Sequence, residues 1–87
     1  NLASTSVMDY IELSPQFSIV EIAVPAAFQD KTLMESDIRA KYGINVVAIK
    51  RHDDLIISPR PTERLQKGDV AIVVGSNDGI NSLEELK

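Results

Sequence analysis

Two runs of β-branched and small apolar residues, INVVAIK and VAIVVG, set the strongest limit on how this chain of 87 residues can fold. In the first run Ile44, Val46 and Ala48 share one face of a predicted strand, and Val47 and Ile49 share the other. The second run is also apolar on both faces. Two short helices can cover only one face of a small sheet. We therefore expect the other face to join two copies in a two-fold symmetric homodimer; helices on both sides of the sheet are the alternative.

The other predicted strands follow from alternation and turn residues. SIVEIAV places Val20, Ile22 and Val24 on one core face and ends at Pro25. INVVAIK and LIIS are separated by the polar turn RHDD, which predicts a hairpin. PRPTERLQKGD is a connection, with a Gly-Asp turn before the last strand, VAIVVG.

Capping residues mark two helices. Thr32 and Glu35 have the spacing of a capping box at the start of TLMESDIRAKYG, and Gly43 stands where a left-handed residue ends a helix. The apolar stripe expected on the core repeats every four residues: Met34, Ile38 and Tyr42. The final segment, SNDGINSLEELK, predicts a helix capped by Ser76 or Asn77.

The predicted order of elements is β-α-β-β-β-α, which describes a small α+β domain. Residues 1–16 are interpreted as a linker that can end in a short strand, and residues 17–87 as the folded domain. Because the chain begins at Asn1 and not at Met, we expect it to be part of a longer protein.

Composition excludes several classes of function. The net charge of -4 argues against a non-specific nucleic-acid binder, whose affinity comes from many phosphate contacts. Without cysteine there is no disulfide framework or thiolate metal site. No apolar run reaches the roughly 20 residues of a membrane span. The single histidine, His52, lies in a predicted turn and forms no Ser-His or Cys-His pattern, so we expect neither an enzyme nor a metal site.

Positive charge is concentrated in RAKYGINVVAIKRH, which contains four of the nine basic residues and no acidic residue. Arg39 and Lys41 end the first predicted helix, where the helix dipole favours positive charge. Lys50 and Arg51 end the next strand and can be ordinary edge charges. A purely structural explanation of these charges therefore stays open.

Two neighbours of this cluster favour a functional explanation. Asn45 interrupts an apolar strand with an amide that can both donate and accept, as a base edge requires, and Ile44 offers an apolar surface beside it. An arginine for a phosphate, here Arg39, with an amide and an aliphatic wall describes a nucleotide pocket.

The sequence resembles a known family over about residues 10–87. YIELSPQFSIVEIAVP, KTLMESDIRAKYGINVVAIKR and ISPRPTERLQKGDVAIVVGSNDGI are similar to the C-terminal RCK domain, or TrkA-C domain, of regulators of potassium conductance. The most specific parts are the R-x-x-Y-G-I-N-V-V-A-I-K-R segment and the proline that precedes the Gly-Asp turn. The likeness is strongest to the cytosolic gating subunits of bacterial Ktr potassium transporters.

This resemblance implies a ligand and a set of partners. Several such domains bind cyclic di-AMP in the cleft of a homodimer, whereas others do not, and a few bind divalent cations. Transferred to this sequence, the pocket would use Arg39 for phosphate, Asn45 as a polar contact, Ile44 as part of the adenine wall and His52 at the rim. The longer protein would form an RCK ring on the cytoplasmic side of the plasma membrane, attached to a potassium-transporter subunit whose uptake the ligand inhibits.

The resemblance leaves a second function open. The domain would then be an assembly module of the RCK ring without a nucleotide ligand of its own. In either case we expect no cofactor in this domain, because the glycine-rich dinucleotide fingerprint is absent from the sequence.

Overall fold

The computed structural model describes residues 7–86, which form a five-stranded antiparallel sheet with helices on one side. The sheet order is β1-β2-β5-β3-β4, and its strands are β1 (Val7–Glu12), β2 (Phe17–Ala23), β3 (Asn45–Arg51), β4 (Asp54–Ile57) and β5 (Val70–Ser76). The helices are a 3-10 turn (Ala26–Phe28), α1 (Leu33–Ser36), α2 (Ile38–Tyr42) and α3 (Asn77–Glu84). The predicted α+β class and the β3–β4 hairpin are confirmed.

Strand β1 lies in the segment interpreted as a linker. It pairs antiparallel with β2 and forms one edge of the sheet, with β4 at the opposite edge. Residues 1–6 of that interpretation lie outside the described part of the chain.

The core lies between the sheet and the helices. Val20 and Ile22 of β2 and Val73 of β5 point to this side and are completely or almost completely buried. Ile80 and Leu83 of α3 belong to the same cluster, so the predicted amphipathic helix packs as its spacing indicates. The other members of the cluster are Phe28, Ile38, Ile44, Ile49, Leu65 and Ala71.

The opposite face of the sheet is not covered by any element of residues 7–86. Phe17, Leu55 and Ile57 are 48%, 53% and 64% exposed. Across the same face, Lys50 Nζ reaches Glu21 Oε1 at 2.9 Å. All helices in this range pack on one side, as expected from the length of the chain, and not on both sides as in the alternative.

A β-bulge changes the predicted alternation of β3. Val46 lies opposite Val73, but the register then shifts, so that Ala48 lies opposite Ile72 and Ile49 opposite Ala71. Val46 and Ile49 therefore face the core, and Ala48 faces the uncovered side. The prediction that Val46 and Ala48 share a face is wrong, because Val47 is the additional residue of the bulge.

The predicted first helix is interrupted at Asp37, which has a left-handed backbone (φ 56°) between α1 and α2. Just before the interruption, the Ser36 hydroxyl donates to the carbonyl of Leu33 at 2.6 Å. The capping box of Thr32 and Glu35 is present as predicted. The predicted core stripe is only partly right, because the break changes the phase of the helix and leaves Met34 66% exposed.

Two glycines fix the junction between α2, β3 and α3. Gly43 ends α2 with φ 64°, the left-handed conformation predicted for it. Gly79, in the first turn of α3, lies so close to the carbonyl oxygen of Tyr42 that a β-carbon would collide with it. This contact holds the end of α2 against the start of α3, and the chain enters β3 directly after it.

We expect Gly79→Ala to destabilise the domain by roughly 1–3 kcal/mol, as overpacking does elsewhere, although alanine favours helix more than glycine. Urea denaturation followed by circular dichroism measures the loss. Ser82→Ala, at an exposed position of the same helix, is the control and should not lose stability, because its only expected effect is the small gain in helix propensity. An unchanged unfolding free energy for Gly79→Ala would show that the junction can open at no cost.

Candidate functional site

An open cavity of about 490 Å³ lies between the two short helices, the start of β3 and the segment that follows β4. Helices α1 and α2 form one side, and β3 forms the floor. The segment after β4 closes the remaining side with two prolines. The lining residues are Leu33, Met34, Asp37, Ile38, Arg39, Ala40, Ile44, Asn45, Val46, Pro59 and Pro61.

Three of the four predicted site residues lie together in this cavity: Arg39, Ile44 and Asn45. The left-handed turn at Gly43 reverses the chain, which brings the end of α2 next to the start of β3. Ile44 is 1% exposed and belongs to the core, whereas Arg39 and Asn45 are exposed. The cavity thus combines an exposed cationic group and an exposed amide with the buried aliphatic side chain of Ile44.

The fourth predicted residue, His52, does not line this cavity. It lies in the turn between β3 and β4, with a left-handed backbone of φ 56°. Asn45 begins β3 and His52 follows its last residue, so the length of the strand, roughly 20 Å, separates the two. The resemblance placed His52 at the rim of the pocket, but within one copy of the domain the extended strand β3 separates it from this cavity.

Arg39 differs from the basic residues that end β3. Lys50 is paired with Glu21, and Arg51 is paired with Asp69 and Glu63. Among residues 7–86, Arg39 has neither an ion pair nor a side-chain hydrogen bond, so its guanidinium is available to an anion. Lys41 is exposed on α2 but does not line the cavity.

The wall formed by the segment after β4 is joined to α1 by backbone hydrogen bonds. The amide of Met34 donates to the carbonyl of Pro61, and the amide of Leu33 donates to that of Glu63, both at 3.0 Å. An isolated β-bridge between Thr32 and Arg64 continues this pairing. The start of α1 and the proline segment are therefore one connected unit, which we call the wall (residues 31–34 and 59–65).

An ion-pair network attaches the wall to the sheet. Arg51 donates from Nε and Nη2 to the two carboxylate oxygens of Asp69, at 3.0 and 2.8 Å. Its Nη1 reaches Glu63 Oε2 at 3.2 Å, and its Nη2 also donates to the carbonyl of Arg64 at 2.9 Å. Arg51 thereby connects the end of β3 and the residue before β5 to the wall.

Asp69 is 2% exposed, and its ionisation is controlled by these contacts. Burial acts to raise the pKa of Asp69, but hydrogen bonds from Arg51 and from the amide of Gln66, with the positive charge of Arg51, hold it below its ordinary value. The hydrogen bonds that Arg51 donates to Asp69 raise the pKa of Arg51 against the effect of burial. Both groups are charged in the folded domain at neutral pH.

Sequence reasoning missed most of the lining. Met34 was assigned to the core, and Asp37, Pro59 and Pro61 were not considered as site residues. The prolines enter the site only because residues 59–65 pair with residues 31–34. No local pattern reveals this contact between segments about thirty positions apart. The capping box and the two prolines were visible in the sequence as separate signals.

Comparison with known proteins identifies the fold. Residues 17–87 match the family described as the TrkA-C domain. The chain belongs to the TrkA-C domain family. It is 47% identical over 85 residues to Ktr system potassium uptake protein C of Bacillus subtilis, a match that covers 98% of this chain and 38% of the relative. The chain thus spans well under half of that protein's length.

Two solved structures have the same fold. The RCK C domain of the potassium transport protein KtrA, in complex with cyclic diadenosine monophosphate, is 40% identical with a TM-score of 0.76, over 79% of this chain and 81% of that one. An RCK_C domain dimer of S. agalactiae BusR, also in complex with c-di-AMP, is 28% identical with a TM-score of 0.67, over 72% and 86%. The resemblance seen in the sequence, including the likeness to proteins of bacterial Ktr potassium transporters, is confirmed.

The depressed pKa of Asp69 predicts acid-sensitive stability. The contribution of an ionised Asp69 is present above its ordinary pKa of 3.8 and is lost as the pH falls through the lower folded-state value. We expect Asp69→Asn to unfold with about 2 kcal/mol less free energy than the wild type near neutral pH, and this difference to shrink in acid.

Urea denaturation over a series of pH values measures the difference. Asp53→Asn, which changes an exposed carboxylate of the β3–β4 turn, is the control and should follow the wild type throughout. A difference for Asp69→Asn that stays constant down to the acid limit would mean that ionised Asp69 does not support the fold.

Proposed function

We propose that this domain binds cyclic di-AMP in the cavity between α2, β3 and the wall, and that two copies bind one ligand across a homodimer. The observation that carries the proposal is the meeting of Arg39, Asn45 and Ile44 in one open cavity. The solved relatives add support, because the KtrA and BusR domains are both described in complex with this ligand.

Each lining group has a chemical part in the proposed complex. The unpaired guanidinium of Arg39 donates to a phosphate, and a charged hydrogen bond of this kind contributes roughly 1.5–3 kcal/mol. The amide of Asn45 can both donate to and accept from an adenine edge. Aliphatic surface for the flat base comes from the exposed Met34 and Pro61, whereas Ile44 is almost fully buried beside Asn45.

The proposed assembly follows the symmetry of the ligand. Cyclic di-AMP has two equivalent halves, so a two-fold axis can pass through it and give each phosphate one Arg39. In the longer protein, the domain would belong to a cytosolic RCK ring, peripheral to the plasma membrane and attached to a potassium-transporter subunit. The identity of 47% to a potassium uptake protein of the Ktr system supports this part of the proposal.

The proposed effect of the ligand is to lower potassium uptake by changing the state of the ring. A ligand shifts such an equilibrium only by its difference in affinity for the two states. The two half-sites must therefore change their relative position as the ring moves. The domain then acts as a regulatory module and not as an enzyme.

We expect Arg39→Ala to weaken cyclic di-AMP binding by about tenfold or more, since it removes a charged hydrogen bond from each half-site. Isothermal titration calorimetry on the dimer measures the affinity. Lys41→Ala is the matched control, because it removes the same charge from the same helix outside the cavity, and it should bind like the wild type. Equal affinity for the wild type and Arg39→Ala would refute the site.

We expect Asn45→Ala to lose less affinity than Arg39→Ala and to discriminate less between cyclic di-AMP and cyclic di-GMP. Adenine and guanine differ in the groups at the edge that the amide would read. Calorimetry with both dinucleotides measures the ratio of affinities. An equal fold-loss of affinity for both dinucleotides would show that Asn45 does not read the base. It would not affect the proposed contact between Arg39 and the phosphate.

One observation favours the second function, an assembly module without a nucleotide ligand. The sheet face opposite the helices carries exposed apolar side chains that suit dimerisation alone. Thermal unfolding with and without cyclic di-AMP separates the two functions. A ligand at 100 times its dissociation constant should stabilise the domain by about 2.7 kcal/mol, whereas an assembly module would unfold unchanged.

A further inference from the structure

We propose that Arg51 and Glu63 are positioning residues for the ligand site: without contacting the ligand, they hold the wall at the distance from α2 and β3 that the ligand requires. This inference rests on the proposed function, because it concerns the shape of the same cavity. Neither residue lines that cavity.

The first step is that the wall has few attachments to the sheet. Within the wall, the backbone pairing between residues 59–65 and residues 31–34 joins the proline segment to the start of α1. Leu65 anchors its end in the core. On the side of Pro59 and Pro61, the backbone bond from Ser58 to the carbonyl of Val47, at 2.9 Å, holds the chain where β4 ends.

The second step is that the side chain of Arg51 connects the sheet to the wall. Its bidentate pair with the buried Asp69 fixes the guanidinium against the start of β5. The remaining donors reach Glu63 and the carbonyl of Arg64, which both belong to the wall. The amide of Leu33 donates to the carbonyl of Glu63. A shift of Glu63 therefore also moves Leu33, which lines the cavity at the start of α1.

The third step is that the ion pair between Arg51 and Glu63 contributes little to the stability of the fold. The Glu63 side chain is 28% exposed, and its distance to Arg51 is 3.2 Å, whereas Asp69 is buried and closer. Ion pairs that are partly exposed in this way add little to global stability. Removing Glu63 should therefore loosen the wall without unfolding the domain, while removing Asp69 or Arg51 would affect both.

A loosened wall has a kinetic signature that differs from that of a lost contact. If the cavity is competent only in a fraction of the molecules, the apparent affinity falls with that fraction. The association rate then falls while the dissociation rate from the closed complex is unchanged. Loss of a direct contact, as in Arg39→Ala, instead acts mainly on the dissociation rate.

The experiment compares Glu63→Ala with the wild type by stopped-flow binding of cyclic di-AMP, at a temperature where both are fully folded by circular dichroism. We expect the association rate to fall by about threefold or more and the dissociation rate to stay the same. Asp53→Ala is the control, because it removes an exposed carboxylate of the β3–β4 turn that belongs neither to the cavity nor to the network of Arg51. Both of its rates should equal those of the wild type.

A second variant tests the centre of the network. Arg51→Lys keeps the positive charge beside Asp69 but lacks the planar fork that reaches Asp69, Glu63 and Arg64 at once. We expect it to reproduce the slower association of Glu63→Ala, and the double variant to be no slower than the slower single variant.

Three outcomes would overturn the inference. Unchanged rates in both variants would show that the wall keeps its position without the network. A faster dissociation in Glu63→Ala would show that Glu63 contacts the ligand, and a loss in Asp53→Ala of the same size would show a general effect of stability. Failure of the wild type to bind cyclic di-AMP is a separate result, which refutes the proposed function itself.

Discussion

The bidentate ion pair between Arg51 and Asp69 is the interaction on which the part of the domain that forms the cavity depends. It joins the end of β3 to the residue before β5, and both strands are central in the sheet. A buried pair of this kind is costly to desolvate and is favourable only when its remaining donors and acceptors are satisfied. Here Gln66, Glu63 and the carbonyl of Arg64 satisfy them. The same contacts that compensate the buried charge thus organise the segment that closes the cavity.

Local signals in the sequence predicted the elements that depend on local chemistry. The capping box at Thr32 and the left-handed Gly43 were correct because each is decided within a few residues. The core positions Val20 and Ile22 were correct because strand alternation is undisturbed in β2. Arg39, Ile44 and Asn45 could be grouped in advance for the same reason, since only a helix end and a tight turn separate them.

The errors came from events that depend on the rest of the fold. The bulge at Val47 reverses the faces of β3, and nothing within INVVAIK indicates where an additional residue is inserted. The left-handed Asp37 breaks a helix whose period looked continuous, and so Met34 became part of a cavity and not of the core. The wall could not be predicted at all, because it forms only when segments distant in sequence are paired by the sheet.

The positions of the charges explain why the guanidinium of Arg39 remains available to an anionic ligand in an acidic domain. Each of the two arginines that lie near carboxylates of the wall region, Arg51 and Arg64, is drawn into a pair with them. Arg39 has no ion pair with an acid among residues 7–86, and the one carboxylate that lines the cavity beside it, Asp37, has a left-handed backbone between α1 and α2. An anion that entered would meet one cation and one carboxylate in each half-site. Binding would therefore depend on the phosphate being directed to Arg39, which requires that the wall hold the base on the other side of the cavity.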